Sequence, residues 1–339
     1  MTIIALDAMG GDHAPEPEIA GALAAVAERP IEVVLVGDEA RLTEMLRGAP
    51  AAIRTRHASE IVTMDDHPAQ AFRRKRDSSL RRAVEMVHEG AADALVSAGN
   101  SGAVLASSLL VLGRMSQIDR PAIATAIPAP SGPVVLCDAG ANVEVKPGML
   151  AQFGLIAACY HRAVYGTRRP RVGLLSNGAE PGKGTELTRA AHALLERAES
   201  PLFHYVGYVE GSDLFRGAVD AIATDGFTGN ILLKTCEGIA EAIFGLVRAE
   251  LASDLRTRTG AALVAPALRR LAQRVDYAET GGALLAGVNG TVVLCHGRSD
   301  ATAIKNAILA ADDFARQRLV DQLATAVADA STAWQTATG

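Results

Sequence analysis

Two kinds of segment alternate along the chain: short apolar runs rich in β-branched residues, and longer segments whose apolar residues recur at helical spacing. The short runs predict strands at residues 2–7, 31–37, 92–97, 122–127, 133–138, 170–175, 219–223 and 290–294. The longer segments predict helices at residues 17–28, 78–89, 102–113, 147–165, 185–198, 229–252 and 300–328. The run at 31–36 is almost wholly apolar, which is typical of a strand buried on both faces of a parallel sheet. The pattern therefore predicts an α/β fold with a mostly parallel, doubly wound, Rossmann-like sheet.

The domain organisation follows from the evenness of this pattern. No internal repeat or low-complexity linker interrupts it, so we expect a single two-lobed α/β unit over residues 1–339. Residues 251–276 are the least core-like part. Gly260 and Pro266 predict a break between two helical pieces there, and hence a protruding helical hairpin.

The predicted hairpin is amphipathic. Leu263, Val264 and Leu268 form an apolar face that is flanked by arginines. Such a face can contact an anionic membrane surface. Packing between two copies of the chain explains the same pattern equally well, and the sequence leaves both interpretations open.

Glycine and polar residues collect directly after six of the predicted strands. They are Gly10, Gly11, Asp12 and His13 after the first strand, Asn100, Ser101 and Gly102 after the third, Asn142 and Lys146 after the fifth, Asn177, Lys183 and Gly184 after the sixth, Asp225, Gly226, Thr228, Gly229, Asn230 and Lys234 after the seventh, and His296 after the eighth. Ligands of parallel sheets bind beyond the carboxyl ends of the strands. We therefore expect these residues to meet at one rim of the sheet.

Three common kinds of site fit this set poorly. The first strand–helix turn lacks the G-x-G-x-x-G spacing of dinucleotide sites, and the loop at 178–184 lacks the G-K-[ST] end of a Walker A loop. Residues 99–103 nearly match a hydrolase nucleophile elbow, but a serine that opens a helix more often caps it. Asp7, Asp12 and His13 could ligate a metal together with Asp138 or Asp225, yet aspartates are common before turns and no paired-histidine spacing is present.

A phosphate site fits better. Glycines allow backbone N–H groups to approach an anion, helix N-termini supply positive potential, and lysines add charge. Asparagine side chains are neutral donors, as is useful where a carbonyl oxygen becomes negative. Phosphate is itself a nucleophile and a thiolate is a good leaving group, so a donor-rich set without a nucleophile–base pair favours phosphate attack on a thioester.

Composition excludes some classes of protein. The net charge of −5 gives no general attraction to nucleic acid. The chain has no apolar stretch long enough to span a membrane and no secretory signal, and its four cysteines are scattered, so we expect a cytoplasmic protein with reduced thiols. Only five of the 33 basic residues are lysines, which suggests that the lysines mark positions where a compact ammonium is needed.

Several long motifs in order resemble the phosphate acyltransferase family. They are LDAMGGDHAP (6–15), RRKRDSSLRRAV (73–84), ALVSAGNSGAVLAS (94–107), IDRPAIA (118–124), DAGANVEVKP (138–147), GLLSNGAEPGKGTELT (173–188), VEGSDLF (209–215), ATDGFTGNILLKTCEG (223–238) and HGRSDA (296–301). The resemblance implies the conversion of long-chain acyl-acyl carrier protein and inorganic phosphate to acyl phosphate, early in bacterial phospholipid synthesis. It also implies a fold related to phosphotransacetylases and isocitrate-dehydrogenase-type enzymes, a homodimer, no metal or cofactor, and peripheral contact with the inner face of the membrane.

The resemblance and the residue chemistry together suggest roles. We expect Lys183, Asn230 and His13 to be catalytic, with His296 as a second candidate for handling protons. The other rim residues are expected to bind phosphate or substrate, with Asp12 and Asp225 orienting donors.

The predicted partners leave alternatives open. Arg73, Arg74 and Lys75 are either a solvated helix face or a docking patch for the acidic acyl carrier protein. A downstream glycerol-3-phosphate acyltransferase is a further candidate partner. The alternative functions are a phosphotransacetylase acting on short acyl-CoA and a noncatalytic membrane scaffold for lipid enzymes.

Overall fold

The structure is a computed structural model that describes residues 1–180, 182–198, 201–275 and 281–335. Its strands are β1 (Ile3–Asp7), β2 (Glu32–Gly37), β3 (Ile53–His57), β4 (Ala94–Ser97), β5 (Ala122–Ile127), β6 (Val134–Cys137), β7 (Arg171–Leu175), β8 (His204–Val209), β9 (Ala221–Ala223), β10 (Ala283–Ala286) and β11 (Thr291–Leu294). Its α-helices are α1 (Glu16–Glu28), α2 (Glu39–Met45), α3 (Pro68–Arg74), α4 (Ser79–His88), α5 (Ser101–Val111), α6 (Pro147–Tyr165), α7 (Glu186–Ala198), α8 (Gly226–Leu251), α9 (Leu255–Val275), α10 (Ala301–Arg316) and α11 (Leu319–Gln335).

Local sequence fixes where several helices begin. The side chains of Ser78, Asn100, Asp225 and Asp300 cap α4, α5, α8 and α10, each by accepting a hydrogen bond from a backbone N–H of the first turn. These caps place the helix starts directly after strand ends or short loops. The residues around those starts are consequently held in defined positions.

The described strands form one sheet in the order β3-β2-β1-β4-β11-β10-β5-β6-β9-β7-β8. The five strands from β3 to β11 are mutually parallel, and so are the four from β6 to β8. The pairs β11–β10, β10–β5 and β5–β6 are antiparallel. The two parallel groups therefore run in opposite directions, and the predicted mostly parallel, doubly wound α/β fold is confirmed.

This reversal corrects the expectation of a single rim. Strands β1, β4 and β11 end at one edge of the sheet, here called the β1 edge. Strands β6, β7 and β9 end at the opposite edge, here called the β6 edge. Apolar runs carry no information about strand direction, so the sequence pattern could not separate the two groups.

Helices cover both faces of the sheet. Residues of α1, α6, α7, α10 and α11 share one large buried cluster with one face. On the other face, α4 and α5 pack over the β1–β4–β11 part, and the first turns of α8 pack over β6 and β9. A cleft over β10 and β5 lies between α5 and α8, and this cleft contains the candidate site.

The helix predictions need two corrections. The segment 300–328 is two helices, because Arg318 adopts a left-handed backbone with φ of 52° between α10 and α11. The segment 251–276 does not break at Gly260 or Pro266, since α9 runs through both. The turn lies instead before α9, where the Asp254 carboxylate accepts the N–H groups of the next turn, so the hairpin consists of α8 and α9. Residue 276 lies outside the described residues.

Candidate active site

A cavity of about 680 Å³ occupies the cleft between α5 and α8. Its floor is β5, with Ile123, Thr125 and Ile127 on the side facing α8. Most of its lining is apolar, and Ile243 and Phe244 line it three to four turns further along α8 than Asn230. The cavity is therefore an elongated apolar groove with polar groups at defined places.

Polar groups from both sheet edges line this one cavity. Ser101 from the start of α5 and His296 from the loop after β11 belong to the β1 edge, whereas Asn230 and Lys234 belong to α8, which begins at the β6 edge. They share the cavity because α8 crosses the sheet over β5 and β6. The fold thus joins four of the predicted site residues although their strands run in opposite directions.

The ring of His296 has a defined tautomer at the cavity. Its Nδ1 accepts the Arg298 N–H at 3.2 Å, so in the neutral ring the proton is on Nε2. The ring is exposed and lines the cavity. His13 is also exposed, but it does not line this cavity.

The two cysteines of the cavity are poor nucleophiles. Burial raises the pKa of Cys295 to about 12, with a further contribution from the carboxyl of Glu18. Burial and the adjacent Glu237 raise the pKa of Cys236. A thiol that stays protonated at neutral pH is unreactive towards an acyl group.

Two of the predicted asparagine donors are already engaged. Asn100 caps α5 through Oδ1, and its amide nitrogen donates to the carbonyl oxygens of Met64 and Asp66 at 2.9 and 3.1 Å. Asn142 is 5% exposed, and its amide nitrogen donates to the Pro121 carbonyl at 2.8 Å and to the Asp138 carboxylate at 2.9 Å. Both side chains therefore hold loops together, and the expectation that they bind phosphate is corrected.

The loop after β6 does not offer its N–H groups to a ligand either. The carboxylate of Asp138, which is fully buried, accepts the backbone N–H groups of Gly140, Ala141 and Asn142 at 2.7 to 3.1 Å. It also accepts the Ile123 N–H at 3.0 Å. An internal carboxylate thus occupies the place that a bound anion would take in a phosphate loop. Sequence reasoning treated Asp138 only as a possible metal ligand.

The loop after β7 presents Lys183. Oδ1 of Asn177 accepts the Gly184 N–H at 2.9 Å, which closes the loop, and Gly184 has φ of +82°, a left-handed conformation that favours glycine. Lys183 is exposed, and within the described ranges no carboxylate pairs with it or with Lys146 at the start of α6. Neither lysine lines the cavity. Because β7 and β9 are parallel neighbours, the Lys183 loop lies at the same edge as the start of α8.

Lys234 and Asp225 have defined partners. The ammonium of Lys234 lies 2.6 Å from Oε2 of Glu237, and both residues line the cavity. Asp225 accepts the N–H and the hydroxyl of Thr228, each at 2.8 Å. Asp225 is therefore a helix cap, and its expected role in orienting donors for a ligand stays a prediction.

Two buried carboxyl groups lie beneath Gly10 and Gly11. Asp7 and Glu18 are each 1% exposed, and Asp7 accepts a hydrogen bond from the Ser97 hydroxyl at 2.8 Å. Burial raises the pKa of Glu18 from 4.5 to about 7, and the nearby Asp7 carboxyl adds to the shift. A side chain on Gly11 would collide with the Glu18 carboxyl. Glu18 was not predicted from the sequence. Its position beside Ile19, Ala22 and Ala25 on the apolar face of α1 would have indicated a buried carboxyl group.

The predicted docking residues differ in availability. Arg73 and Arg74 are exposed on α3, whereas the ammonium of Lys75 pairs with Asp66 and donates to the Ile61 carbonyl. Lys75 is consequently committed to its own loop. On α9, Leu263 is 82% exposed and Val264 is 48% exposed, but Leu268 is half-buried.

The described residues contain neither a cluster of metal-binding side chains nor a membrane-spanning helix. They contain no group of three or more histidine, cysteine, aspartate or glutamate side chains arranged to hold a metal ion. In the same part of the chain, no helix is long and apolar enough to cross a membrane.

Comparison with known proteins identifies the family. A family model described as "Fatty acid synthesis protein" matches residues 2–322. A relative from Myxococcus xanthus named phosphate acyltransferase is 52% identical, over 91% of this chain and 88% of its own length. One of the same name from Syntrophotalea carbinolica is 48% identical, over 95% of this chain and 92% of its own length. The chain belongs to the phosphate acyltransferase family. It is an acyltransferase with a role in fatty-acid and lipid synthesis, and the resemblance seen in the motifs is confirmed.

Solved structures support the fold assignment. EutD phosphotransacetylase from Staphylococcus aureus aligns with a TM-score of 0.61 at 16% identity, covering 92% of this chain and 94% of its own. A 4-hydroxythreonine-4-phosphate dehydrogenase from Klebsiella pneumoniae aligns with a TM-score of 0.54 at 15% identity, covering 93% and 98%. At these identities the likeness concerns the fold alone. The predicted relation to phosphotransacetylases is confirmed at that level.

Proposed function

We propose that this phosphate acyltransferase takes a long-chain acyl group from acyl carrier protein and transfers it to inorganic phosphate. The observation that carries the proposal is the apolar groove beneath α8. Asn230 and Phe244 lie 14 residues apart on that helix, which corresponds to ~21 Å of rise. A groove of that length suits a long acyl chain, whereas an acetyl group would leave most of it empty.

The proposed reaction is direct attack. A phosphate oxygen forms a bond to the thioester carbonyl carbon, the C–S bond breaks, and the thiolate leaves and takes up a proton. The high pKa values of Cys236 and Cys295 favour this route over an acyl-cysteine intermediate. Among the described residues no hydrogen bond joins Ser101 to a histidine, so an activated serine is not supported either.

Named groups would assist each part of the reaction. Asn230 would donate to the oxygen that becomes negative, and Lys183 would offset charge on the phosphate from the neighbouring loop. His296 is better placed than His13 to supply the proton to the leaving sulfur, because it lines the groove. Ser101 and Lys234 would complete the polar lining.

The proposed setting is the cytoplasmic face of the membrane. Arg73 and Arg74 would dock the acidic carrier protein, and the α8–α9 hairpin would contact the membrane or a second copy of the chain in a homodimer. The product, an acyl phosphate, would pass to an acyltransferase such as one acting on glycerol 3-phosphate.

Hydroxylamine trapping of acyl phosphate tests the proposal. We expect product from palmitoyl-acyl carrier protein and phosphate, much less from acetyl-CoA, and the same rate with chelator present. Lys183→Ala should lower kcat by about 100-fold or more, because a charge that stabilises the transition state is lost. Lys305→Ala is the matched control, since Lys305 pairs with Glu28 at 3.1 Å, and its kcat should stay near that of the wild type.

The alternatives give other results. Higher turnover with acetyl-CoA than with the long-chain donor would indicate a short-chain phosphotransacetylase. No product from either donor would indicate a noncatalytic scaffold.

A further inference from the structure

We infer that Asp138 is a positioning residue for the transfer reaction: its buried carboxylate shapes the loop on which the first turn of α8 rests, and thereby places Asn230 and Lys234 in the groove. The inference rests on the proposed role of that helix in the reaction. It does not depend on which acyl donor the enzyme uses.

The Asp138 carboxylate determines the shape of the loop after β6. One carboxylate gathers four backbone N–H groups, those of Ile123, Gly140, Ala141 and Asn142, within 3.1 Å. The Asn142 amide adds a fifth donor at 2.9 Å. Because Ile123 belongs to β5, the same carboxylate ties the loop to the floor of the groove. These bonds hold the backbone of residues 140–142 against β5.

The backbone of this loop contacts the first turn of α8. The Asn142 carbonyl accepts the Gly226 N–H at 2.7 Å, which satisfies a donor at the helix start. A β-carbon on Gly226 would lie 2.7 Å from that carbonyl oxygen, and one on Gly229 would collide with the carbonyl oxygen of Asp138. The helix thus packs directly against the loop backbone at these two glycines, where there is no space for a side chain.

The contact between the loop and α8 determines where Asn230 and Lys234 lie in the groove. Asn230 directly follows Gly229, which packs against the loop. A β-carbon on Gly140 of the same loop would lie 3.7 Å from the Asn230 side chain. Lys234 lies one turn further along the helix. A small displacement of the loop would therefore move both polar groups relative to the acyl carbonyl. A displacement of about 1 Å at a reacting centre can cost about 100-fold in rate.

Asp138→Asn tests the inference, because it keeps the volume but directs an NH₂ group at N–H donors. We expect kcat to fall by about 100-fold, while KM for the acyl donor stays within about twofold since the apolar groove is intact. Hydrogen exchange of the peptide covering 226–236 should become faster. The donor in this assay is whichever one the wild type turns over, so failure of acyl carrier protein as donor rejects the proposed function separately.

Asp312→Asn is the matched control. Asp312 is also fully buried, and it accepts hydrogen bonds from Arg29 and Arg316 on the opposite face of the sheet from the groove. We expect a comparable loss of thermal stability, with kcat within about twofold of the wild type and unchanged exchange at 226–236. Equal losses of kcat in the two variants, or a wild-type kcat in Asp138→Asn, would overturn the inference.

A milder variant covers the case in which Asp138→Asn does not fold. Asn142→Ala keeps the Asp138 carboxylate and its four backbone donors but removes the side-chain bonds to that carboxylate and to the Pro121 carbonyl. We expect kcat to fall by about tenfold with faster exchange at 226–236. Wild-type kcat together with wild-type exchange would reject the positioning role.

Discussion

The buried Glu18 carboxyl makes stability depend on pH. Its pKa is raised from 4.5 to about 7, so the folded state holds the proton more tightly than the unfolded state does. The free energy of unfolding should therefore fall as pH rises from about 4.5 to about 7, by ~3 kcal/mol. Glu18→Gln stays neutral throughout, so we expect a smaller decline in its urea midpoint across this pH range than in that of the wild type.

Glu16→Gln is the control for this prediction, because Glu16 lies in the same first turn of α1 but is exposed and pairs with Arg41 at 3.2 Å. Its pH profile should run parallel to that of the wild type. A Glu18→Gln profile that also runs parallel would show that the pKa of this carboxyl is the same in the folded and unfolded states. Comparison of the two variants distinguishes the effect of the buried Glu18 carboxyl on the pH dependence of stability from the effect of exposed carboxyl groups.

At the scale of an element, the α8–α9 hairpin exposes much apolar surface. Ile243 and Leu246 are 54% and 72% exposed on α8, and Leu263 is 82% exposed on α9. If this face contacts lipid, Leu263→Glu/Val264→Glu should reduce flotation with anionic vesicles by more than about tenfold, because each buried apolar side chain contributes ~1.5 to 3 kcal/mol.

The matched control is Leu110→Glu, which changes a leucine that is 62% exposed on α5. It should float like the wild type. Unchanged flotation of the double variant, with a shift from dimer to monomer in sedimentation, would assign the hairpin to the interface between two copies. Unchanged flotation of the Leu263→Glu/Val264→Glu variant would by itself contradict the membrane proposal.

At the scale of the whole molecule, docking of the acidic carrier protein must overcome a net charge of −5. A local basic patch can do this, and Arg73 and Arg74 are exposed for it. Arg73→Glu/Arg74→Glu should raise KM for the acylated carrier protein by about tenfold, leave KM for phosphate unchanged, and lose its effect at high salt. Arg47→Glu changes an exposed arginine elsewhere and should leave both KM values unchanged. Equal KM values in the double variant and the wild type would refute the docking patch.

Prediction from sequence succeeded where the signal was local. The predicted strands are all present, and α5 and α8 begin within three residues of their predicted starts, but the expected cap at Ser101 is wrong because the Asn100 side chain caps α5. It missed β3, β8 and β10, as well as α2 and α3. In β3 only Ile53 is buried, and the four polar residues that follow it are half-buried or exposed at the border of the sheet, so no apolar run marks the strand.

The roles expected of the candidate site residues stay predictions, although the structure brings four of these residues together. Ser101, Asn230, Lys234 and His296 were all named from the sequence, and the structure places them in one cavity. The sequence could not show that Asn142 is committed to Asp138. Asparagine beside glycine has the same appearance whether its amide faces a ligand or a neighbouring carbonyl.

The sequence by itself determined the α/β class, most element positions and the family, because periodicity, caps and ordered motifs are local properties of the chain. Only the tertiary structure decided which strand ends face one another. Strand direction, the path of α8 over β5 and the enclosure of Asp138 depend on contacts between distant segments, and no local pattern encodes them. The predicted single rim thus became two opposite edges, joined by one helix that crosses between them.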